Sequence, residues 1–478
     1  MKKGIKAVLI GAGAAALAAG AFFGARAVTF GAADNGAEAA QSVSDSAGPS
    51  SATLAEFSDY EIFADVPRMS APDARYEYAV DDGAGTYGIS VYETTKADYD
   101  AYLSELEADG YVKFADNGEG GLGGYIYKTF FTKGDLRLSV TYIYLAGRTM
   151  ISACEGGAWS EHLNYDVSYV AANVQSAQTK LYLPELFTTG ASFFLQLKNG
   201  HFIINDGGTE NELPYLLDDL EALVPEGEKP VIEAWFMSHP HTDHMGVFKA
   251  FLNNKDQMDR VYVENMYFNM LGEEAAKYYD RMGEDYTVLS NYVRGLPKML
   301  SKQDGGAPEL YEMAIGDRYY FNDFSVEVIY SSEVQPYEDL HGVNGSCTWL
   351  LYNIEGQKIL FPGDGLFSSQ KFIMNTYDRA YFDLDIYFPS HHGYDTYDQF
   401  TYYLKRLDTV LYPNYHKLLG GESGYSNHTE QLKYINERAR ESYTYGEGTV
   451  VLTFPYKVGS AEIMEPREWK YNSQKPPR

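Results

Sequence analysis

Apolar and polar residues alternate along the chain with the periods of strands and helices, and residues 55–165 predict a small α+β unit. "TYGISVYETT" alternates as a strand does, and the apolar residues between Tyr99 and Leu106 recur at helical spacing before Gly110, a candidate C-cap. "GGYIYKTFFTKGDLRLSVTYIYL" predicts two strands joined by a Lys-Gly-Asp turn. This unit contains no catalytic cluster, so we interpret it as a packing or recognition module.

From about residue 170 onward, apolar strands alternate with amphipathic helices. "GASFFLQLKNGHFIINDGG" predicts a hairpin, "ELPYLLDDLEALV" a helix, "VIEAWFMSHPHTDH" a buried strand that runs into a histidine-rich loop, and "MGVFKAFLNN" a further helix. A helical insertion near residues 272–302 precedes the strands "FSVEVIYSS", "CTWLLYNIEG" and "KILFPGD". This order predicts an α/β domain over residues 170–478, with sheets inside and helices outside.

The first 54 residues follow another pattern. Three lysines precede an apolar, Ala- and Gly-rich run from Ala7 to Ala25, which predicts an export signal whose N-terminus stays inside the cell. The run is intermediate in length, so residues 1–30 are either a signal peptide or a membrane anchor, and we favour the anchor. Residues 31–54 are rich in Gly, Ala and Ser and predict a flexible linker. We therefore expect an exported protein, secreted or held on the outer face of the cytoplasmic membrane.

The composition is that of a globular protein, and the net charge disfavours long nucleic acids as partners. The 478 residues are too many for one ordinary core, so two folded units are expected. The formal net charge of −29 repels phosphate backbones, which disfavours long nucleic acids, although it does not exclude a local basic groove.

The two cysteines, Cys154 and Cys347, are far apart in sequence. Because Cys347 lies in an apolar, strand-like run, we expect a buried free thiol there in preference to a disulfide.

The stretch "SHPHTDHMGV" concentrates imidazoles in a chain that has 10 histidines in all. His239 and His241 alternate on an extended segment, so both side chains can face one point. Asp243 and His244 follow where the chain turns into a helix and can face a second point. Neutral imidazoles and carboxylates are ligands for zinc and other divalent transition metals. The spacing after a buried strand argues against a solvated loop with incidental histidines.

The motif His239-Pro-His241-Thr-Asp243-His244 resembles the H-x-H-x-D-H hallmark of the metallo-β-lactamase-fold superfamily, and the resemblance covers about residues 170–455. It implies an αββα sandwich with two divalent metal ions at its edge, zinc or manganese, or with a single ion. Further pieces occur in the superfamily's order, although "DGG" and "PGD" are also common turns. The metal ligands that the resemblance implies are His239, His241, Asp243, His244, the bridging Asp364 of "ILFPGD", and one of His391 and His392 in "HHG".

Asp206, at the end of an apolar strand, corresponds to the superfamily's aspartate that fixes the ligand loop. The sequence departs from the superfamily where another histidine usually precedes the strand of the bridging aspartate. Either His341, slightly far from the strand, or Asn344 takes that place, and asparagine is the weaker zinc ligand. "N-x-S" followed by "GD" and "HHG" resembles a ComEC-like branch, and phosphorylcholine esterases look broadly similar. "GYSNHTEQLKYI" resembles a late loop of that branch, whose histidine is here His428.

The resemblance implies a metallo-hydrolase in which two metals lower the pKa of a shared water and provide hydroxide. Phosphodiester hydrolysis is the preferred reaction, with a small or cell-envelope ester as substrate. The candidate catalytic residues are Asp243 and His428, and whichever of His391 and His392 binds no metal is a further proton donor. Three alternatives stay open: a secreted nuclease, a thioesterase or lactonase of the same fold, and a metal-poor protein that binds an envelope component through residues 55–165.

Overall fold

The computed structural model describes a large part of the chain, and the predicted N-terminal signal or anchor and the linker lie outside that part. Among the residues that it describes, no helix is both long enough and apolar enough to cross a membrane. The described residues are 61–70, 75–80, 86–156, 159–165, 178–269, 271, 273–281, 308–321, 324–340, 342–393, 399–415 and 429–471.

A six-stranded antiparallel sheet forms the N-terminal unit, together with helix α1 (Lys96–Ala108). The helix begins at Thr95, which forms a capping box with Asp98, and its residues Tyr99 and Leu106 face the core. In spatial order the strands are β1 (Arg75–Val80), β2 (Thr86–Val91), β6 (Arg148–Glu155), β5 (Leu136–Ile143), β4 (Ile126–Lys133) and β3 (Val112–Asp116). The helix, β2 and the hairpin of β4 and β5 occur where the residue pattern predicted them, whereas β1, β3 and β6 were not predicted.

A nine-stranded mixed sheet begins the second part of the chain. From β9 through β10 and β12 to β13 the neighbouring strands are parallel, whereas the pairs β8–β9, β7–β8, β7–β21 and β21–β22 are antiparallel. The path across the sheet is β13-β12-β10-β9-β8-β7-β21-β22, and β11 pairs with β10. The strands are β7 (Lys180–Leu183), β8 (Ser192–Gln196), β9 (Phe202–Asp206), β10 (Val231–Phe236), β11 (Tyr262–Val263), β12 (Asn265–Phe268), β13 (Glu309–Glu312), β21 (Val450–Thr453) and β22 (Glu462–Ile463).

A seven-stranded sheet faces the nine-stranded one. Its strands follow each other in sequence order from β14 to β20, first antiparallel and then parallel from β17 onward. The strands are β14 (Arg318–Phe321), β15 (Phe324–Tyr330), β16 (Trp349–Ile354), β17 (Gln357–Phe361), β18 (Asp383–Tyr387), β19 (Arg406–Tyr415) and β20 (Glu441–Tyr445).

The two mixed sheets enclose one apolar core, and helices cover their outer faces. Phe193 and Phe236 of the nine-stranded sheet pack with Leu350 and Phe361 of the seven-stranded sheet. The order of layers is therefore αββα, as the resemblance implied. Helices α2 (Leu213–Ala222), α3 (Thr242–Leu252) and α4 (Lys255–Met258) lie on one side, α6 (Phe367–Thr376), α7 (Gln399–Tyr403) and α8 (Thr429–Arg438) on the other, and α5 (Glu273–Arg281) belongs to the insertion.

The six-stranded sheet packs against the sandwich through buried polar contacts. Lys128 forms an ion pair of 2.6 Å with Asp317, and both side chains are almost fully buried. The Asn117 amide donates to the Gly316 carbonyl at 3.0 Å. Because a buried charge without its partner is costly, these contacts fix the register of the two parts.

Strand direction brings the motifs to one edge of the sandwich. Strand β9 is parallel to β10, and β17 is parallel to β18, so the carboxyl ends of each pair lie side by side. Asp206 ends β9, and the histidine-rich loop follows β10. Asp364 follows β17, and the histidine pair at 391–392 follows β18. Four separate segments of sequence thereby reach one site.

Candidate metal centre

The histidine-rich loop connects the buried strand β10 to helix α3. Ser238 in this loop is fixed by Asp206, because the backbone N–H and the hydroxyl of Ser238 donate to the two carboxylate oxygens at 2.7 Å each. The chain stays extended through His241, the N-cap of α3, and Asp243 and His244 lie in the first helical turn. A change from extended backbone to helix divides the motif, as its spacing predicted.

The first set of facing donor atoms, the three-residue group, consists of His239, His241 and Asp364. Nε2 of His239 lies 3.1 Å from Nδ1 of His241 and 3.7 Å from Oδ2 of Asp364. His239 and Asp364 are buried, whereas His241 is half-buried. His241 is therefore the most exposed side chain of the group.

The second set, the four-residue group, consists of Asp243, His244, Asp364 and His392. The Nε2 atoms of His244 and His392 lie 3.2 Å apart. Oδ1 of Asp364 is 3.0 Å from Nε2 of His244, and Oδ2 of Asp243 is 3.0 Å from Nε2 of His392. Three of the four side chains are buried, and that of Asp243 is half-buried.

Asp364 joins the two groups with one oxygen directed at each. Oδ1 faces His244 and His392, and Oδ2 faces His239 and His391. Within each group the donor atoms all lie within 4.8 Å of one another. Ligands of a tetrahedral zinc ion, with bonds of about 2.1 Å, lie about 3.4 Å from one another. These donor sets therefore fit divalent metal ions, and Asp364 faces both groups.

Asp206 lies directly behind the candidate ligand His244. Its Oδ2 lies 2.7 Å from Nδ1 of His244, and such a contact leaves Nε2 as the ligand atom. Trp235 Nε1 donates to the Asp206 carbonyl at 2.8 Å. Ser238 Oγ also lies 3.0 Å from Nδ1 of His239. One buried carboxylate thus orients histidines of both groups, directly or through Ser238.

Left-handed backbone is concentrated at this site. In the described part of the chain, five non-glycine residues have positive φ, and three of them are Asp206, His391 and His392 (φ 51°, 51° and 55°). The His391 N–H donates to the Gly363 carbonyl at 3.1 Å, and the Asn414 amide donates to the His392 carbonyl at 3.2 Å. Backbone held in this region is strained, and such strain is typical of functional sites.

Charge is strongly coupled among these side chains. Burial alone would raise the pKa of Asp364, but His244, His392 and His391 hold it well below its usual value. Burial disfavours the charged form of His244, yet Asp364 and Asp206 raise its pKa well above the usual range. Burial and the neighbouring His244 lower the pKa of His239. The pKa of Asp243 is also lowered, because His392 and His244 outweigh burial, so Asp243 is ionised.

The structure distinguishes the two adjacent histidines. His392 is buried in the four-residue group, whereas His391 is partly exposed, with Nε2 at 3.8 Å from Oδ2 of Asp364. Two further candidates, His341 and His428, lie outside the described residues. Asn344 lies on a short 3₁₀ helix (Val343–Ser346), and its side-chain oxygen is buried with no hydrogen-bond partner within the described part. Such an oxygen is suited to a cation or a water.

Sequence reasoning missed two supporting residues. Cys347 is buried and free, as expected, but its thiol also accepts the backbone N–H of Asp364 at 3.3 Å. The contact of Ser238 with Asp206 was not predicted, although Ser238 lies between the strand and the first histidine and is therefore nearest to Asp206. Its position in "SHPH" was the only available signal. Nothing in the apolar run around Cys347 indicated a role.

No protein-family model matches the chain. GTP cyclohydrolase III of Saccharolobus islandicus is 24% identical over 174 residues, which are 34% of this chain and 68% of that protein. Among solved structures, the metallo-beta-lactamase fold protein YhfI from Bacillus subtilis aligns with 58% of this chain and 99% of its own (9% identity, TM-score 0.31). Zn(2+)-bound PqqB from Methylobacterium extorquens aligns with 57% of this chain and 99% of its own (8%, 0.35). Unliganded yeast PDE1 aligns with 58% and 99% (11%, 0.35).

The superfamily resemblance given by the motif is confirmed at the level of the fold. The layers are αββα, and the motif lies at the sheet edge where strands β9, β10, β17 and β18 end. Identities of 24% and below identify neither a substrate nor a reaction. The ComEC-like branch stays a prediction.

Proposed function

We propose that this chain, which has the metallo-β-lactamase fold, is a metal-dependent hydrolase of phosphodiester bonds. The observation that supports it most directly is the position of Asp364, whose two carboxylate oxygens each face a separate group of histidines. Two cations held there would supply Lewis-acid chemistry, which activates water and neutralises charge on a phosphoryl oxygen. The other tasks, which are to orient the ligands and to accept and donate protons, fall to side chains of this protein.

The residues around the centre divide these tasks. Asp206 holds His244 in the orientation in which Nε2 faces the site. Asp243 is ionised, so it serves as a ligand or as a proton acceptor and does not donate a proton. His391 lies beside the bridging carboxylate with a partly exposed ring, so it is the described residue best placed to donate a proton to the leaving group.

The preference for phosphodiesters rests on the residues around the ligands. Asn344 in place of a histidine, and the "HHG" sequence, resemble the branch that contains surface phosphodiesterases. The net charge of −29 favours a small or cell-envelope ester over long DNA. Export by the N-terminal apolar segment is part of the proposal, and the location of the protein in fractionated cells tests it.

The activity test uses the full chain, stripped of metal and reloaded separately with zinc and manganese. We expect metal-dependent hydrolysis of bis(p-nitrophenyl) phosphate that Asp364→Ala abolishes. Asp256→Ala, an exposed aspartate on α4, is the matched control and should keep full activity. Bound metal without hydrolysis would contradict the phosphodiesterase and direct the search to thioesters and lactones. A purified chain that binds no metal would overturn the hydrolase and favour an envelope-binding protein.

A further inference from the structure

The loop between β7 and β8, residues 184–191, lies directly against the metal-ligand segments. The backbone N–H of Ala191 donates to the carbonyl of Asp243 at 3.1 Å. A Cβ atom added at Gly190 would lie 2.8 Å from the same carbonyl, so only glycine allows this approach. The end of the loop therefore fixes the backbone of one member of the four-residue group.

The same loop is connected to a second member of that group. Thr189 Oγ1 donates to Oδ1 of Asn414 at 3.2 Å, and the Asn414 amide donates to the carbonyl of His392 at 3.2 Å. Two tyrosine hydroxyls hold the loop from the opposite sheet: that of Tyr415 donates to the Leu186 carbonyl and that of Tyr445 to the Gly190 carbonyl.

The start of the loop is held by Glu212, which precedes helix α2. Its side chain is buried, and its Oε1 accepts the backbone N–H of Phe187 at 2.6 Å. The Thr188 backbone also acts to lower the pKa of the Glu212 carboxyl group. Its Oε2 is buried and accepts no hydrogen bond from any described residue. A carboxyl group in this position costs desolvation energy, which a purely apolar contact would avoid.

We propose that Glu212 is a positioning residue for the four-residue half of the metal centre, acting through the loop of residues 184–191. This inference rests on the proposed metallo-hydrolase. Glu212 touches neither the ligands nor the space between them. Its carboxyl holds Phe187 and Thr188, and the loop transmits that restraint to the backbones of Asp243 and His392.

The strength of this restraint depends on the ionisation of Glu212. A carboxylate accepts hydrogen bonds more strongly than a protonated carboxyl group does. Burial raises the pKa of Glu212 to about 7, against the opposing effect of the Phe187 and Thr188 N–H groups and of Arg467. Asp219 contributes a further upward effect, and the buried Tyr445 also faces the group. The restraint is therefore weak in mild acid and strengthens as the pH rises through 7.

The experiment compares the wild-type full chain with Glu212→Gln, which keeps the shape and removes the titration. Glu210→Gln, an exposed glutamate in the same 3₁₀ turn, is the matched control. Hydrogen–deuterium exchange of metal-free protein is followed at pH 6 and pH 8 in a peptide that spans residues 184–191, with correction for intrinsic rates. We expect protection to increase from pH 6 to pH 8 in the wild type and in Glu210→Gln, but not in Glu212→Gln.

Zinc affinity gives a second readout. It is expressed as the ratio of the wild-type affinity to the variant affinity at the same pH, so that the effect of ligand protonation, which is common to both proteins, cancels. At pH 8 Glu212→Gln should bind zinc about tenfold more weakly, and at pH 6 the ratio should approach one. Glu212→Asp keeps a carboxylate but is too short to reach the loop, so it should resemble Glu212→Gln. Agreement between these two different variants would show that the loss comes from the missing contact and not from misfolding of one variant. Equal protection and equal affinity in all variants would overturn the proposal. If zinc binding depends on Glu212 but the protein has no hydrolase activity, the positioning role of Glu212 stands and only the proposed reaction is rejected.

Discussion

The two halves of the metal centre share Asp364 but differ in construction. Two of the three residues in the three-residue group, His239 and His241, come from one extended segment. The four-residue group takes its members from helix α3, from the turn after β17 and from the turn after β18. Its supports, Asp206 and the loop of residues 184–191, come from further elements.

The three-residue group is thus arranged mainly by local chain geometry, and the four-residue group by tertiary packing. The spacing of His239 and His241 puts both side chains on one face of an extended segment, and His241 is only half-buried. The four-residue group exists only when three separate segments are packed. It is then held by buried hydrogen bonds and strained backbone. We expect this half to bind metal more tightly and the three-residue half to exchange it more readily.

Removal of the shared carboxylate has the largest expected effect, because it breaks both halves together. Asp364→Ala should lower metal content from two ions to less than one per chain and reduce hydrolysis by about 10³-fold or more, since metal-derived stabilisation amounts to several kcal/mol. Metal analysis after dialysis and the rate with the phosphodiester substrate provide the measurement. A variant that retained two ions would show that the carboxylate does not bridge.

Alanine substitution of one ligand in each half compares the two groups directly. His392→Ala should remove the ion that resists chelators, whereas His241→Ala should remove the ion that leaves first. Retained metal is measured along a series of increasing chelator concentration, with Asp256→Ala as control. Equal losses in the two variants would contradict the difference in affinity.

Asp206→Asn tests the support behind the ligands. The amide keeps the size of the side chain but can turn a donor towards Nδ1 of His244, so the preference for Nε2 as ligand is lost. We expect metal affinity to fall about 10- to 100-fold, chiefly in the four-residue half. A titration with zinc, followed by calorimetry, measures it. An unchanged affinity in a correctly folded variant would remove Asp206 from the centre.

A further effect concerns stability, and its sign opposes that on metal binding. Burial raises the pKa of Glu212 from 4.5 to about 7, so between these values the unfolded chain releases a proton that the folded chain keeps. The wild type should therefore lose up to about 3 kcal/mol of stability between pH 4.5 and pH 8. Glu212→Gln should lack this part of the decline, which denaturant unfolding at several pH values would reveal. Parallel pH curves for both proteins would contradict a raised pKa.

Much of the secondary structure followed from the residue pattern. The buried face of α1, the hairpin of β8 and β9, and the strand before the histidines are local features, and local features are encoded in short windows. The Lys-Gly-Asp turn likewise joins β4 to β5. The packing of the six-stranded sheet on the sandwich was not predictable, because Lys128 and Asp317 are 189 positions apart and their pairing has no local signal.

The sequence by itself predicted that the imidazoles and the carboxylate of the H-x-H-x-D-H motif face one centre, because they lie where an extended segment enters a helix. Asp364 and the histidine pair at 391–392 followed only from the superfamily resemblance. Only the tertiary structure decided that His392, and not His391, joins the four-residue group, because two neighbouring histidines in left-handed backbone point in different directions. It also decided the support of Asp243 by Ala191 and Glu212. Such contacts join residues distant in sequence, and their hydrogen bonds form only after the two sheets have packed.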